Sequence, residues 1–227
     1  MFSKIIQSPT LVRVVPFAIF AGLTFFQGRL GENSQYWVYF AKTLAGVGML
    51  FAVWRYIAEL EWRFSWEAIV VGVAVFVMWV GLDELIARLG LPEYPKLKAQ
   101  GGTWNPHEAF GSGSALAWFF IIARIAGSTL VVPPLEELFY RSFVYRYVAS
   151  KDFLSVPLGK FLPMPFIVTS VLFGLAHREW LAGILCAFAY QGLVIRKNRL
   201  GDAVTAHAIT NLLLGLWIVW RGAWQFW

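Results

Sequence analysis

PPLEELFYR, residues 133–141, follows directly on a long apolar run. Proline is tolerated in the first turn of a helix and little beyond it, so the Pro133-Pro134 pair predicts a helix entry. On that helix Glu137 and Arg141 are four residues apart with the acid on the N-terminal side, which is the favourable order for an ion pair. Glu136 lies about 100° further round and has no basic residue four positions on. The stretch therefore presents one locally paired carboxylate and a second that faces elsewhere.

The composition indicates that this helix lies in a membrane protein. The 227 residues are 59% hydrophobic and 14% charged, whereas soluble proteins are about 45–50% apolar and about 25% charged. The length suits six to eight membrane helices of about 20 residues. The net charge of +6 is expected to set orientation and contact lipid head groups, and no nucleic-acid-binding motif is present. A single cysteine, Cys186, excludes an internal disulfide.

Seven apolar segments are predicted to cross the membrane as helices. They occupy about residues 14–26, 36–56, 66–82, 115–132, 164–176, 180–195 and 203–220. The third is expected to continue as a helix to Leu89, and Pro133 either breaks the fourth or only kinks it, which gives seven or eight crossings. The polar stretch 90–114 is expected to be a loop or a lid. Because no repeat or linker is visible, residues 1–227 are predicted to form one integral-membrane domain, an all-α polytopic helical bundle.

Basic residues predict the orientation of this bundle, because positive charges favour the cytoplasmic side of a membrane. If the fourth span and the acidic helix form one crossing, the basic groups fall on one side: Lys4, Arg55 with Arg63, Lys151 with Lys160, and Arg196 to Arg199. The prediction is a cytoplasmic N-terminus with seven crossings.

Polar residues within or beside the spans are the candidate functional groups. Ionisable side chains in a membrane are costly and mark function or a structural pair. Glu136, Glu137, His177 and His207 are of this kind, and Asn211 shares a helix face with His207. A helical bundle can bring them to one interior point. The alternatives stay open: each histidine can be a hydrogen-bonded core group, and the acid–arginine pair can be purely structural.

Three motifs occur in order on these segments: EExxxR at 136–141, FxxxH at 173–177 and HxxxN at 207–211. Together they resemble the signature motifs of the CAAX prenyl protease and bacteriocin-processing (CPBP) family, also called the ABI family of type II CAAX endopeptidase-like intramembrane proteins. The resemblance covers roughly residues 115–220, and each motif is complete. The length and the aromatic-rich N-terminal half are similar to those of CAAX protease-related proteins associated with exosortase systems in bacteria.

The resemblance implies a glutamate-dependent intramembrane endopeptidase that cleaves a membrane-associated protein or peptide, with residues 115–220 as its catalytic core. Motif by motif, the implied roles are water activation by Glu136 and His177, oxyanion stabilisation by His207 and Asn211, and support of the site by Glu137 with Arg141. The narrower resemblance implies a location in a bacterial inner (plasma) membrane and a link to an exosortase system.

The residue types suit this chemistry, because peptide hydrolysis needs a base for water and donors for the oxyanion. Neither GxSxG nor the zinc-binding HExxH occurs. No cofactor is predicted, although Glu136, His177 and His207 could form a His₂Glu zinc site. A second function class stays open: a non-catalytic scaffold, immunity factor or transport partner that uses the same polar core for stability.

Two other polar residues have less specific surroundings. His107 lies in the polar stretch 90–114, where a water-satisfied loop residue is favoured over one that gates substrate entry. Arg124 lies inside the fourth apolar segment, where it could snorkel toward the interface or pair with a carboxylate of the site.

Overall fold

The computed structural model describes residues 5–60, 63–97 and 103–227. Every regular element among these residues is helical and none is a strand, which confirms the predicted all-α class. They fall into two compact units. The first comprises the described parts of Met1–Ala58, Gln100–Glu136 and Asn211–Trp227, and the second those of Glu59–Ala99 and Glu137–Thr210. The prediction of a single domain stays a prediction.

Each predicted apolar run coincides with a helix, and further helices lie outside these runs. In chain order they are α1 (Leu11–Thr24), α2 (Ser34–Val53), α3 (Trp66–Arg88), α4 (Pro106–Phe110), α5 (Ala115–Leu130), α6 (Val132–Glu137), a π-helical segment (Leu138–Val144), α7 (Tyr145–Ala149), α8 (Pro163–Leu175), α9 (Trp180–Lys197) and α10 (Gly201–Arg221). The predicted continuation of the third apolar run as a helix is confirmed, because α3 ends at Arg88. The polar stretch before α5 contains the short helix α4, and residues 98–102 of that stretch lie outside the described residues.

Within the described ranges, four helical segments are long and apolar enough to cross a membrane: Ser34–Tyr56, Trp66–Arg88, Ala115–Ala149 and Gly201–Arg221. Helices α1 and α8 are apolar but shorter. The chain stays helical past Pro133, since the Val131 N–H donates to the Gly127 carbonyl at 3.0 Å and the Leu135 N–H to the Val131 carbonyl at 3.4 Å. The polytopic class is thereby confirmed. The count of seven or eight crossings stays a prediction, and Lys4, on which the predicted orientation partly rests, lies outside the described residues.

In the first unit, helix α2 packs closely against the residues that precede Glu136. A Cβ atom at Gly46 of α2 would lie 2.6 Å from Val131 Cγ1 and 3.4 Å from Leu135 Cδ1. Glycine therefore lets α2 approach this part of the chain closely. Phe20, Val131 and Leu135 form a buried apolar cluster here. Because Leu135 directly precedes Glu136, this packing fixes the backbone that carries the first acid of the motif.

In the second unit, α8 and α9 pack as a hairpin and approach closely at a glycine pair near the end of α8. A Cβ atom at Gly183 would lie 2.9 Å from Gly174 Cα. Deeper in the hairpin the rings of Phe166 and Phe188 stack at 5.1 Å. The glycine pair brings the two backbones together and so fixes the end of α8, from which His177 follows.

Substituting alanine for Gly174 is expected to lower the free energy of unfolding by about 3 kcal/mol, the upper end of typical overpacking costs. The new Cβ would lie 2.6 Å from the Trp180 carbonyl oxygen and 2.8 Å from the Ile184 nitrogen, and these backbone atoms cannot turn away. Gly192 on α9 is the matched control, because a Cβ added there would have nothing within 4 Å. Denaturant or thermal unfolding in detergent measures both variants. A Gly174→Ala variant as stable as Gly192→Ala contradicts the prediction.

The start of α10 is anchored by a buried acid. Asp202 accepts a hydrogen bond from Ser65 Oγ at 2.6 Å and pairs with Arg199. An acid in the first helical turn also interacts favourably with the helix dipole. A Cβ at Gly201 would collide with the Arg63 carbonyl oxygen, so the entry to α10 lies directly against the chain before α3. These contacts fix the helix that carries His207.

Candidate active site

The ion pair predicted from residues 136–141 is present and buried. Glu137 is the last residue of α6 and Arg141 lies in the π segment, with 3.1 Å between Arg141 Nε and Glu137 Oε2. Both side chains are almost inaccessible, at 0% and 1% relative exposure. The guanidinium carbon lies 4.3 Å from the centre of the Phe173 ring. The two terminal nitrogens of Arg141 have no hydrogen-bond partner within the described part of the chain. A buried charge pair of this kind is expensive to break.

The second oxygen of Glu137 holds His207. Its Oε1 lies 2.9 Å from His207 Nδ1. An ionised carboxylate only accepts hydrogen bonds, so Nδ1 carries a proton and Nε2 is left for other chemistry. The Tyr190 ring stacks on the imidazole at 5.0 Å, and its hydroxyl donates to Thr210 Oγ1 at 2.8 Å. Glu137 therefore orients His207 of the third motif and also pairs with Arg141 of its own motif.

His177 is oriented in the same way, by a backbone carbonyl. It lies two residues beyond α8, and its Nδ1 is 2.7 Å from the Phe173 carbonyl oxygen. A carbonyl oxygen can only accept, so Nδ1 donates and Nε2 keeps its lone pair when the ring is neutral. The indole of Trp79 on α3 meets the imidazole edge-on at 5.7 Å. The ring is thus fixed with a proton acceptor at Nε2.

Phe173 connects the three motifs. Its ring centre lies 4.7 Å from that of His177 and 6.0 Å from that of His207. Arg141 packs on the same ring. The phenylalanine of FxxxH is therefore a packing element shared by both histidines and the arginine, which explains why an aromatic residue suits that position.

Glu136 and Asn211, the two remaining predicted site residues, belong to the first unit. Glu136 is the last residue of α6 that belongs to the first unit, and it is partly exposed. Asn211 donates one amide N–H to the Ser128 carbonyl at 2.8 Å, which orients the amide and leaves its second N–H. The structure thus brings Glu137, Arg141, His177 and His207 together in the second unit. The catalytic roles of all six residues remain predictions.

Comparison with known proteins gives a family for this arrangement. Residues 114–213 match the family model described as type II CAAX prenyl endopeptidase Rce1-like. All three motifs lie within the match. Residues 114–213 are a Rce1-like domain of the CAAX protease family. No curated protein and no solved structure matches the chain. The predicted family is confirmed, whereas the exosortase-associated subgroup stays a prediction.

The Rce1-like domain and the long apolar helices together make the chain an integral membrane protein with a CAAX protease-type function. Glu137, Arg141 and His207 are buried within helical segments of membrane-spanning length. This is the setting in which an intramembrane ionisable group marks a functional site.

A buried lysine outside the Rce1-like domain was missed in the sequence. Lys42 of α2 donates to Thr24 Oγ1 at 2.8 Å and lies over the rings of Phe20 and Tyr39 at 4.6 and 5.0 Å. It is close enough to Glu136 for an electrostatic interaction. A lone cation in an otherwise apolar span was a signal available in the sequence, since such groups seldom lie there without a partner.

Arg124 and His107, the two other polar residues considered in the sequence, lie among aromatic rings. Arg124, inside the Rce1-like domain, lies over Trp104, Tyr39 and Trp227 at 4.4, 4.8 and 5.4 Å, a cation–π arrangement that neither sequence alternative included. The ring of His107 lies between two tryptophans, 5.4 Å from Trp118 and 5.6 Å from Trp224. The prediction of a water-satisfied loop residue was wrong for His107, because it lies in the short helix α4 and packs on rings.

No cluster of three or more His, Cys, Asp or Glu side chains suited to a metal ion occurs in the described ranges. The zinc alternative for Glu136, His177 and His207 is therefore left to experiment.

Proposed function

We propose that the protein is an intramembrane endopeptidase in which a glutamate activates water to attack a peptide bond of a membrane-associated substrate. Glu136 is the general base, and His177 accepts a hydrogen bond from the water through Nε2. His207 and Asn211 donate to the oxyanion. Glu137 and Arg141 hold His207 in place.

One observation carries this proposal: both motif histidines are bound through Nδ1 to groups that can only accept. The partners are the Phe173 carbonyl for His177 and the Glu137 carboxylate for His207. The Nε2 atom of each histidine is therefore left for contact with water or substrate. The scaffold alternative gives no reason for this shared orientation, since a structural histidine can satisfy either nitrogen.

The proposed hydrolysis uses only water and the side chains of the site. A water oxygen bonds to the scissile carbonyl carbon while Glu136 takes the proton. The oxyanion that forms accepts hydrogen bonds from the amide of Asn211 and from Nε2 of His207, which requires His207 to carry protons on both nitrogens while Glu137 accepts from Nδ1. The carbon–nitrogen bond then breaks, the proton passes to the leaving amine, and a new carboxylate and a new N-terminus result.

The substrate and its setting complete the proposal. A protein or peptide anchored in the bilayer reaches an intramembrane site by lateral diffusion, and the matching family is described as a CAAX prenyl endopeptidase. The proposal also includes a bacterial inner membrane, a cytoplasmic N-terminus and a link to an exosortase system, which the sequence resemblance and the basic residues support.

A comparison of protein N-termini tests the function without a known substrate. Membranes from cells that express the wild type are compared with membranes that hold the same amount of Glu136→Gln protein. New termini that occur only with the wild type identify the substrates and support the protease. Identical termini in the two membranes, together with no cleavage of farnesylated and unprenylated CAAX peptides by the purified wild type, support the scaffold class instead.

Chelators are expected to leave the cleavage rate unchanged. In this proposal water is activated by a carboxylate and an imidazole, so no Lewis acid takes part. The measurement is the cleavage rate in proteoliposomes after dialysis against 1,10-phenanthroline, with a zinc metalloprotease treated in parallel. Loss of activity that added Zn²⁺ restores contradicts the metal-free mechanism.

A further inference from the structure

An extended segment, residues 91–97, lies across the turn that carries His177. This segment, here called the strap, follows α3 and contacts residues 178–180. The Leu97 N–H donates to the Arg178 carbonyl at 3.1 Å, and Trp180 Nε1 donates to the Pro95 carbonyl at 2.8 Å. The strap is therefore bound by its backbone to the residues that immediately follow His177.

Charged side chains reinforce this attachment. Lys96 Nζ lies 3.0 Å from Glu179 Oε2 and also binds Asp83, and the Tyr94 hydroxyl donates to the same Glu179 oxygen at 3.1 Å. Glu179 is buried, with 9% of its side chain exposed. Its carboxylate accepts from two strap residues at once, so it is the point at which the turn is tied to the strap.

The charge states that this network needs are maintained at neutral pH. Burial acts to lower the pKa of Lys96, but hydrogen bonds to Asp83 and Glu179 outweigh it, and the pKa is raised. Burial and the neighbouring Glu179 carboxylate raise the pKa of Tyr94. Lys96 thus stays cationic, and Tyr94 keeps the proton that it donates.

Helix α3 contacts both the strap and His177 through one face. Trp79 meets the His177 ring, and Asp83, four residues later on the same side of α3, binds Lys96. The end of α3 and the strap line a cavity of about 450 Å³, formed by Asp83, Ile86, Glu93, Tyr94, Pro95 and Lys96. Beside this cavity, the polar contacts and the edge-on packing of Tyr94 against Trp180 at 5.7 Å hold the strap.

His177 depends on such outside support because it lies beyond the last residue of α8. Its backbone N–H still bonds to the Gly174 carbonyl at 2.9 Å, but residues 176–179 form a turn rather than a helix. A turn residue that must hold an attacking water needs its ring fixed closely, because small misplacements at a reacting centre are costly.

We propose that the strap positions His177, with Lys96 and Glu179 as positioning residues of the proposed protease. The strap lies outside residues 114–213, so the N-terminal half of the chain takes part in the reaction that the Rce1-like domain performs. This inference rests on the proposed function.

Replacing Lys96 by methionine is expected to lower kcat about tenfold with KM unchanged, since the turn shifts while the substrate contacts remain. Lys96→Arg restores most of kcat because it keeps the charge. The matched control is Arg88→Met, which removes the exposed pair of Arg88 with Glu84 on α3. This variant is expected to leave kcat unchanged. In a His177→Ala background, Lys96→Met should cause no further loss, because the strap acts through that ring.

A second readout does not depend on activity. Diethyl pyrocarbonate modifies free imidazole nitrogens, and mass spectrometry separates the peptides that contain His177 and His107. Lys96→Met in detergent micelles is expected to change the modification rate of His177 several-fold while that of His107 stays constant. An unchanged His177 rate overturns the positioning role, even if the wild type cleaves no test peptide.

The outcomes for the strap and for the protease are separable. A wild type that cleaves, a Glu136→Gln variant that does not, and a Lys96→Met variant with wild-type kcat overturn the strap proposal alone. A fall in kcat that Lys96→Arg fails to rescue, and that adds fully to His177→Ala, shows a general structural effect and also overturns it.

Discussion

Replacing Glu136 by glutamine is expected to lower the cleavage rate by about 10²–10⁴-fold, the usual contribution of a general base. Glutamine keeps the size of the side chain but cannot take a proton from water. The fold is expected to survive, because Leu135 remains in its apolar cluster and Lys42 keeps its hydrogen bond to Thr24 and its ring contacts. Single-turnover cleavage in proteoliposomes gives the rate, and thermal unfolding in detergent gives the stability.

The comparison that decides the role of Glu136 is with His177→Ala, which is expected to show a similar loss of rate at unchanged stability. Wild-type cleavage by Glu136→Gln removes the proposed mechanism altogether. Loss of rate accompanied by an equal loss of folded protein makes Glu136 a structural residue instead.

Replacing Glu137 by glutamine is expected to lower the free energy of unfolding by about 3–5 kcal/mol, the cost of removing one partner from a buried ion pair. Arg141 is 1% exposed, and Glu137 is its one ion-pair partner among the described residues. Its charge would remain in the interior without compensation. Cleavage is expected to fall as well, because His207 loses the carboxylate that fixes Nδ1.

The matched control for Glu137 is Glu84→Gln. Glu84 and Arg88 have the same four-residue spacing on α3, but both side chains are mostly exposed, and such pairs contribute little stability. Thermal unfolding in detergent compares the two variants. A Glu137→Gln protein that is as stable as Glu84→Gln contradicts the buried-pair interpretation, and one that also cleaves normally removes Glu137 from the site.

Much of the secondary structure could be predicted from the sequence because the helices coincide with long apolar runs that proline, glycine or charged residues interrupt. The ion pair of Glu137 and Arg141 was also predictable, since the two residues are neighbours on one helix. Local spacing determines both features. The π segment was not foreseen, because the sequence carries no simple signal for a turn with i→i+5 bonds.

Contacts between distant residues could not be predicted in this way. Glu137 and His207 are 70 positions apart, and their hydrogen bond depends on how the helices that carry them pack. The same holds for the strap, whose contacts with Glu179 and Trp180 join positions 85 residues apart. Family motifs indicate which residues belong to a site. They do not state which oxygen of a carboxylate binds which nitrogen.

The π segment has a consequence at the level of the gene. A turn with i→i+5 bonds holds one residue more than an α-helical turn, and such turns often occur at functional positions. Leu138–Val144 can therefore lose one codon and still encode an unbroken helix, with Arg146 in phase to meet Glu59. That deletion would replace the wide turn that contains Arg141 with an ordinary α-helical turn. Any shift of Arg141 away from Glu137 would leave its buried charge without compensation, so selection for folding and selection for activity would both reject the shorter gene.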